Sequence, residues 1–86
     1  MMMMTMMNEV IGMDFYAAVG EELKKAREKS ERSGSWVARQ AGISASTYRL
    51  YEMGQVAAPM GKIEDVCKVL GVPFGDLLRA VADKMA

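Results

Sequence analysis

Between Arg32 and Tyr51 the chain carries three arginines, Arg32, Arg39 and Arg49, and no carboxylate. The flanks are the reverse. Residues 1–31 hold six acidic against four basic groups, and residues 63–86 hold four against three. The formal net charge is zero and the pI is about 6.2, so bulk charge points to no partner. The positive field sits on one short segment, where it can meet a local anion such as a phosphate.

Other chemistries lack their residues. The chain has no histidine, which removes histidine-based triads and most zinc sites. Its one cysteine, Cys67, lies in "IEDVCKVLG" at helical spacing with Ile63, Val66 and Leu70. That pattern predicts a buried, inert thiol, and a single cysteine suits a reducing cytoplasm. Glu21–Glu22 and Glu64–Asp65 are adjacent pairs, which diverge on a helix and cannot converge for acid/base work. No phosphate loop, metal-ligand cluster or nucleophile–base pair is present, so neither an enzyme nor a cofactor is expected. No apolar run reaches the ~20 residues of a membrane span. The start "MMMMTMMNEV" lacks the basic region and cleavage site of a signal peptide. Residues 1–13 are read as a flexible Met-rich arm ahead of a domain at 14–86, although methionines also adapt to partner surfaces.

The elements that must position the arginines are short helices. At 86 residues, with 51% apolar and 26% charged, the chain can fold as one small domain around one core. "DFYAAVGEELKKAREKSE" places Phe15, Val19, Leu23 and Ala26 on one stripe, predicting an amphipathic helix with Asp14 as N-cap. Ser33 or Ser35 can cap a second helix, "WVARQA", which Gly42 ends. Ser44 or Ser46 can cap a third, "STYRLYEM", closing at Gly54, with Tyr48 and Tyr51 facing inward. "KIEDVCKVL" is a fourth, ended by Gly71. "FGDLLRAVADKM", led in by Pro73, is a fifth. No stretch sustains period-two alternation, so the expected class is all-α, a compact five-helix domain.

A small residue at Ala38, a turn glycine at 42 and Ile43 beneath it describe two helices crossing closely, a helix-turn-helix. With "AREKS", "VARQAGIS", "STYRLYEMG" and "KVLGVPFGDLL", the chain from about Val19 to Leu78 resembles the lambda-repressor/Cro-like (XRE-type) helix-turn-helix family. The resemblance implies a lambda-repressor-like fold. It also implies a DNA-binding transcriptional regulator, with a repressor as the expected sign, acting in the cytoplasm as a homodimer on double-stranded DNA. Glu52 and Gly54 form the family's Glu-x-Gly ending, and the resemblance pairs Glu52 with Arg27.

Position by position, the resemblance turns Ser44, Ala45, Ser46 and Leu50 toward base edges in the major groove, with Arg49 beside them. Ser33, Gly34 and Ser35 would lie at the sugar-phosphate backbone, and Arg39 and Gln40 would be exposed on the same helix. The family often has glutamine where Gly34 stands. The loop after Gly54 lacks the family's usual cations. Ala45 and Leu50 can offer only apolar contact, which leaves Arg49 as the side chain able to grip guanine bidentately. Phe74, Leu77, Leu78 and Val81 are the expected dimer surface. Trp36 either covers the first helix or joins a partner interface. The thin set of readers supports an alternative, a protein-interaction module (an antiactivator or antitoxin) on the same fold.

Overall fold

The computed structural model describes the backbone of residues 2–86 and side chains from Phe15 onward. The expected Met-rich arm falls outside the side chains described. Five helices follow one another: α1 (Met2–Lys29), α2 (Gly34–Ala41), α3 (Ala45–Glu52), α4 (Met60–Leu70) and α5 (Phe74–Met85). Among the described residues there is no strand, and the all-α reading holds. One start differs from expectation. The backbone is already helical before Asp14, so Asp14 is inside α1 and does not cap it.

Local chemistry sets the other boundaries. The Ser33 hydroxyl accepts from the Trp36 N–H at 3.1 Å and starts α2. The Ser44 hydroxyl accepts from the Thr47 N–H at 3.2 Å and starts α3. Each satisfies an N–H that the first turn of a helix leaves unpaired. Gly42 ends α2 at φ +71°, a conformation that strains any side chain bearing a Cβ. There the Ile43 N–H reaches back to the Ala38 carbonyl at 2.8 Å.

The core joins all five helices. Val19 and Leu23 of α1, Val37 and Ala38 of α2, Tyr48 of α3, Ile63, Val66 and Cys67 of α4, and Leu77 and Val81 of α5 are all buried. Of the four residues expected to form a dimer surface on α5, Leu77 and Val81 belong to this core. Leu77 is 4% and Val81 1% exposed, and Phe74 packs against the same core. Leu78 is half-buried. A stripe on an amphipathic helix marks the face that is covered, and at Leu77 and Val81 the protomer itself covers it.

Two glycines decide how α3 sits on α1. A Cβ on Gly20 would strike the Tyr51 carbonyl oxygen and lie 2.5 Å from the Glu52 carbonyl oxygen. A Cβ on Gly54 would lie 2.7 Å from the Ala17 Cα, and Gly54 has φ +69°. The C-terminal end of α3 therefore meets α1 backbone to backbone.

Candidate nucleic-acid interface

Arg27 is the clamp at this crossing. Its Nε donates to Glu52 Oε2 at 2.6 Å, its Nη2 to Glu52 Oε1 at 3.0 Å, and its Nη1 to the Arg32 carbonyl at 2.9 Å. The Arg27 and Glu52 side chains are 17% and 10% exposed. One planar guanidinium thus ties α1, α3 and the α1–α2 turn together, and its fork geometry suits a carboxylate. The bond to Glu52 is the main reason the Arg27 pKa is raised further. Tyr48 lies against the pair. Burial, and then the Glu52 carboxylate, push its hydroxyl above the ordinary tyrosine range.

With its C-terminal end fixed, α3 presents its N-terminal end outward. Ala45, Ser46 and Arg49 are exposed and Leu50 is half-buried. Ser44 is exposed too, but its hydroxyl accepts from the Thr47 N–H and donates to Thr47 Oγ1 at 2.8 Å. It is a cap first, as Ser33 is for α2. The Gly34 and Ser35 N–H groups precede the first intrahelical bond of α2, made by Val37 to the Ser33 carbonyl, and so can meet an external acceptor. Arg39 and Gln40 are exposed further along α2. Neither Arg39 nor Arg49 makes an ion pair among the described residues. A groove beside these positions is lined by Lys24 and Arg27 of α1, Gly34 and Ser35 of α2, and Ala45 and Arg49 of α3.

Several residues fall elsewhere. The Arg32 guanidinium stacks over the Trp36 ring, 4.2 Å from its centroid, a cation–π contact. Trp36 is half-buried and packs against the core. The loop from Met53 to Pro59 carries no cation, and Met53, Val56 and Met60 at the start of α4 are exposed. Burial pushes the Cys67 thiol up to about 11, so it stays protonated and poorly nucleophilic near neutral pH. Among the described residues no three metal-ligating side chains converge, and no helix is long and apolar enough to cross a membrane.

Sequence reasoning missed Lys24 and the reason for Gly20. Both depend on where α1 crosses α3, which no local pattern encodes.

The family model described as a helix-turn-helix domain matches residues 18–81. The chain belongs to the helix-turn-helix domain family. Two solved structures, both crystal structures of the clp gene regulator ClgR from Corynebacterium glutamicum, share its architecture with a TM-score of 0.79 each. One is 22% identical, covering 83% of this chain and 76% of that one. The other is 24% identical, covering 84% and 94%. No match is found among curated proteins. The family match begins at Ala18, next to Ala17, which lies against Gly54, and two residues before Gly20, which lies against the end of α3. At this identity the two solved structures speak for the fold alone.

Proposed function

We propose that this protein is a DNA-binding transcription regulator that lays α3 in the major groove of an operator as a homodimer, and that it represses from there. The observation that carries the reading is the outer face of α2 and α3. Arg39 and Arg49 stand exposed and make no ion pair among the described residues, free N–H groups open α2, and no carboxylate falls between Arg32 and Tyr51. Family membership supports the DNA partner. A homodimer follows from the small footprint of one such unit, since two units a helical turn apart read half-sites about 34–36 Å apart.

The roles divide by chemistry. Ser35, Arg39 and Gln40 of α2 serve the phosphate backbone, with Ser33 shaping that helix end. Ala45, Ser46, Arg49 and Leu50 of α3 face base edges, with Ser44 holding the helix start. Base readout rests on Arg49, so shape and backbone contacts carry much of the affinity.

A second reading is favoured by the α3–α4 loop. Met53 is 51% and Met60, at the start of α4, 50% exposed, on either side of Val56, around a loop that has no cation for a phosphate. A protein-interaction module would use such an apolar surface.

Selection of bound duplexes from a random pool, followed by titration at several salt concentrations, separates the two. Recovery of an inverted repeat, with affinity falling steeply as salt rises, supports the operator reading. No enrichment and no gel shift at low salt would sink it and leave the interaction module. Reporter expression with and without the protein, from a promoter bearing the selected repeat, reads the sign of regulation.

A further inference from the structure

Three exposed side chains from three helices, Lys24, Ser35 and Arg49, line one groove. The sequence draws attention to the α2 and α3 positions, yet α1 supplies a wall of this groove through Ala17, Glu21, Lys24 and Arg27. Lys24 differs from its cationic neighbours Lys25 and Arg27, which are each engaged by a carboxylate. Lys25 bonds Glu22 at 3.2 Å, and Arg27 bonds Glu52. Lys24 has a carboxylate about one turn away on each side, Glu21 and Glu28, and pairs with neither among the described residues.

Two causes keep it free. Glu21 is held by Lys84 of α5, whose Nζ lies 2.7 Å from Glu21 Oε2 and 3.3 Å from Glu22 Oε2. Glu28 follows Lys24 by four residues, and a lysine preceding a glutamate at that spacing is the weaker orientation on a helix. Among the described residues, two cations of the groove, Lys24 and Arg49, therefore make no ion pair. Its two carboxylates, Glu21 and Glu52, are each neutralised by a bridge.

We propose that Lys24 is a DNA phosphate contact, and that Lys84, outside the groove lining, supports it by holding Glu21 neutralised. The inference rests on the DNA-binding reading above and extends the interface from α2 and α3 to α1. A lysine ammonium is a compact charge on a flexible stem, suited to a phosphate oxygen and blind to sequence. Lys24 thus raises affinity on every duplex alike, while Arg49 discriminates between sites.

The test uses the full chain and a short fluorescein-labelled duplex of random sequence, titrated between about 50 and 200 mM salt. Lys24→Ala is expected to make the slope of log affinity against log salt shallower by about 0.9, the value of one lost phosphate contact. Lys24→Arg keeps the wild-type slope. Lys68→Ala, an exposed lysine on α4, changes nothing. Glu21→Gln is expected to tighten binding by up to roughly five-fold, about the worth of one exposed charge pair at contact. Lys84→Ala weakens binding, and Glu21→Gln added to it restores the affinity. A merely structural bridge gives the opposite sign for Glu21→Gln, because the bridge is lost there too. Lys24→Ala with an unchanged slope, while the wild type binds, overturns the inference and spares the DNA reading. A wild type that binds no duplex at low salt overturns both.

Discussion

At the C-terminal end of α3, Glu52 is gripped by two hydrogen bonds from Arg27, and the Tyr51 and Glu52 carbonyls lie against Gly20. At the N-terminal end, Ala45, Ser46 and Arg49 are exposed beside the Ser44 cap. One end is locked by backbone contact and a charge-assisted fork. The other is open and carries the candidate readers. A side chain can read a surface only if its helix does not yield under contact, so the rigidity at residues 51–54 is what makes residues 45–50 usable.

The strongest way to break this contrast is to cut the clamp. Glu52→Ala leaves the mostly buried Arg27 guanidinium without its carboxylate, and the expected loss is about 2–4 kcal/mol of stability. In a domain of this size that lowers the melting temperature by roughly 10–20 °C. Thermal and urea unfolding measure it. A loss no greater than that of an exposed ion pair, under about 1 kcal/mol, would mean that the pair is not what fixes α3.

Substitution at the crossing should follow in size. Gly54→Ala combines a Cβ at 2.7 Å from the Ala17 Cα with a left-handed backbone at φ +69°, costing about 2–3 kcal/mol. Gly20→Ala meets carbonyl oxygens of Tyr51 and Glu52, but alanine returns up to about 1 kcal/mol of helix propensity, leaving roughly 1–2 kcal/mol. By contrast, Gly61→Ala on α4 meets nothing within 4 Å and is expected to be neutral or stabilising. Equal effects at positions 20 and 61, read by urea midpoint, would remove the close approach from the account.

These glycines show which parts of the fold the sequence discloses. Gly42 and Gly71 announce themselves because a helix end needs a left-handed residue, a demand set within a few residues. The caps at Ser33 and Ser44 are legible for the same reason. Gly20 is not, because its need arises from a carbonyl some thirty residues away on another helix. The α5 stripe was legible as a buried face, but periodicity carries no record of whether a second protomer or the same chain covers it. Lys24 and Glu21 look like an ordinary solvated charge run until α5 brings Lys84 to Glu21.

At the open end, the proposed roles of Arg39 and Arg49 predict two different kinds of loss. Arg49→Ala is expected to lose about 1–3 kcal/mol of discrimination between the selected repeat and random DNA. Arg39→Ala should weaken both equally and flatten the salt dependence by about one contact. Both arginines are exposed and make no ion pair among the described residues, so stability should move by less than about 0.5 kcal/mol in either variant. Fluorescence titration on the two duplexes distinguishes them. Parallel losses on both duplexes for Arg49→Ala would take away the assigned role of α3.

The smallest effect expected is a gain at the same end. Gly34 opens α2 where the resembling family often carries glutamine. A Cβ there would lie 3.7 Å from Tyr48 Cε2 and 3.9 Å from Arg27 Nε, ordinary contact distances. Unlike positions 20 and 54, position 34 has room. Gly34→Gln should therefore leave stability within about 0.5 kcal/mol of wild type. It places an amide beside the free N–H groups of α2, where one added hydrogen bond to DNA is worth about 0.5–1.5 kcal/mol, roughly two- to tenfold in affinity. Tighter binding with an unchanged melting temperature would show that the open end lacks readers and has kept its shape. Unchanged binding would mean that DNA does not approach the start of α2, and that the open face of this domain serves another partner.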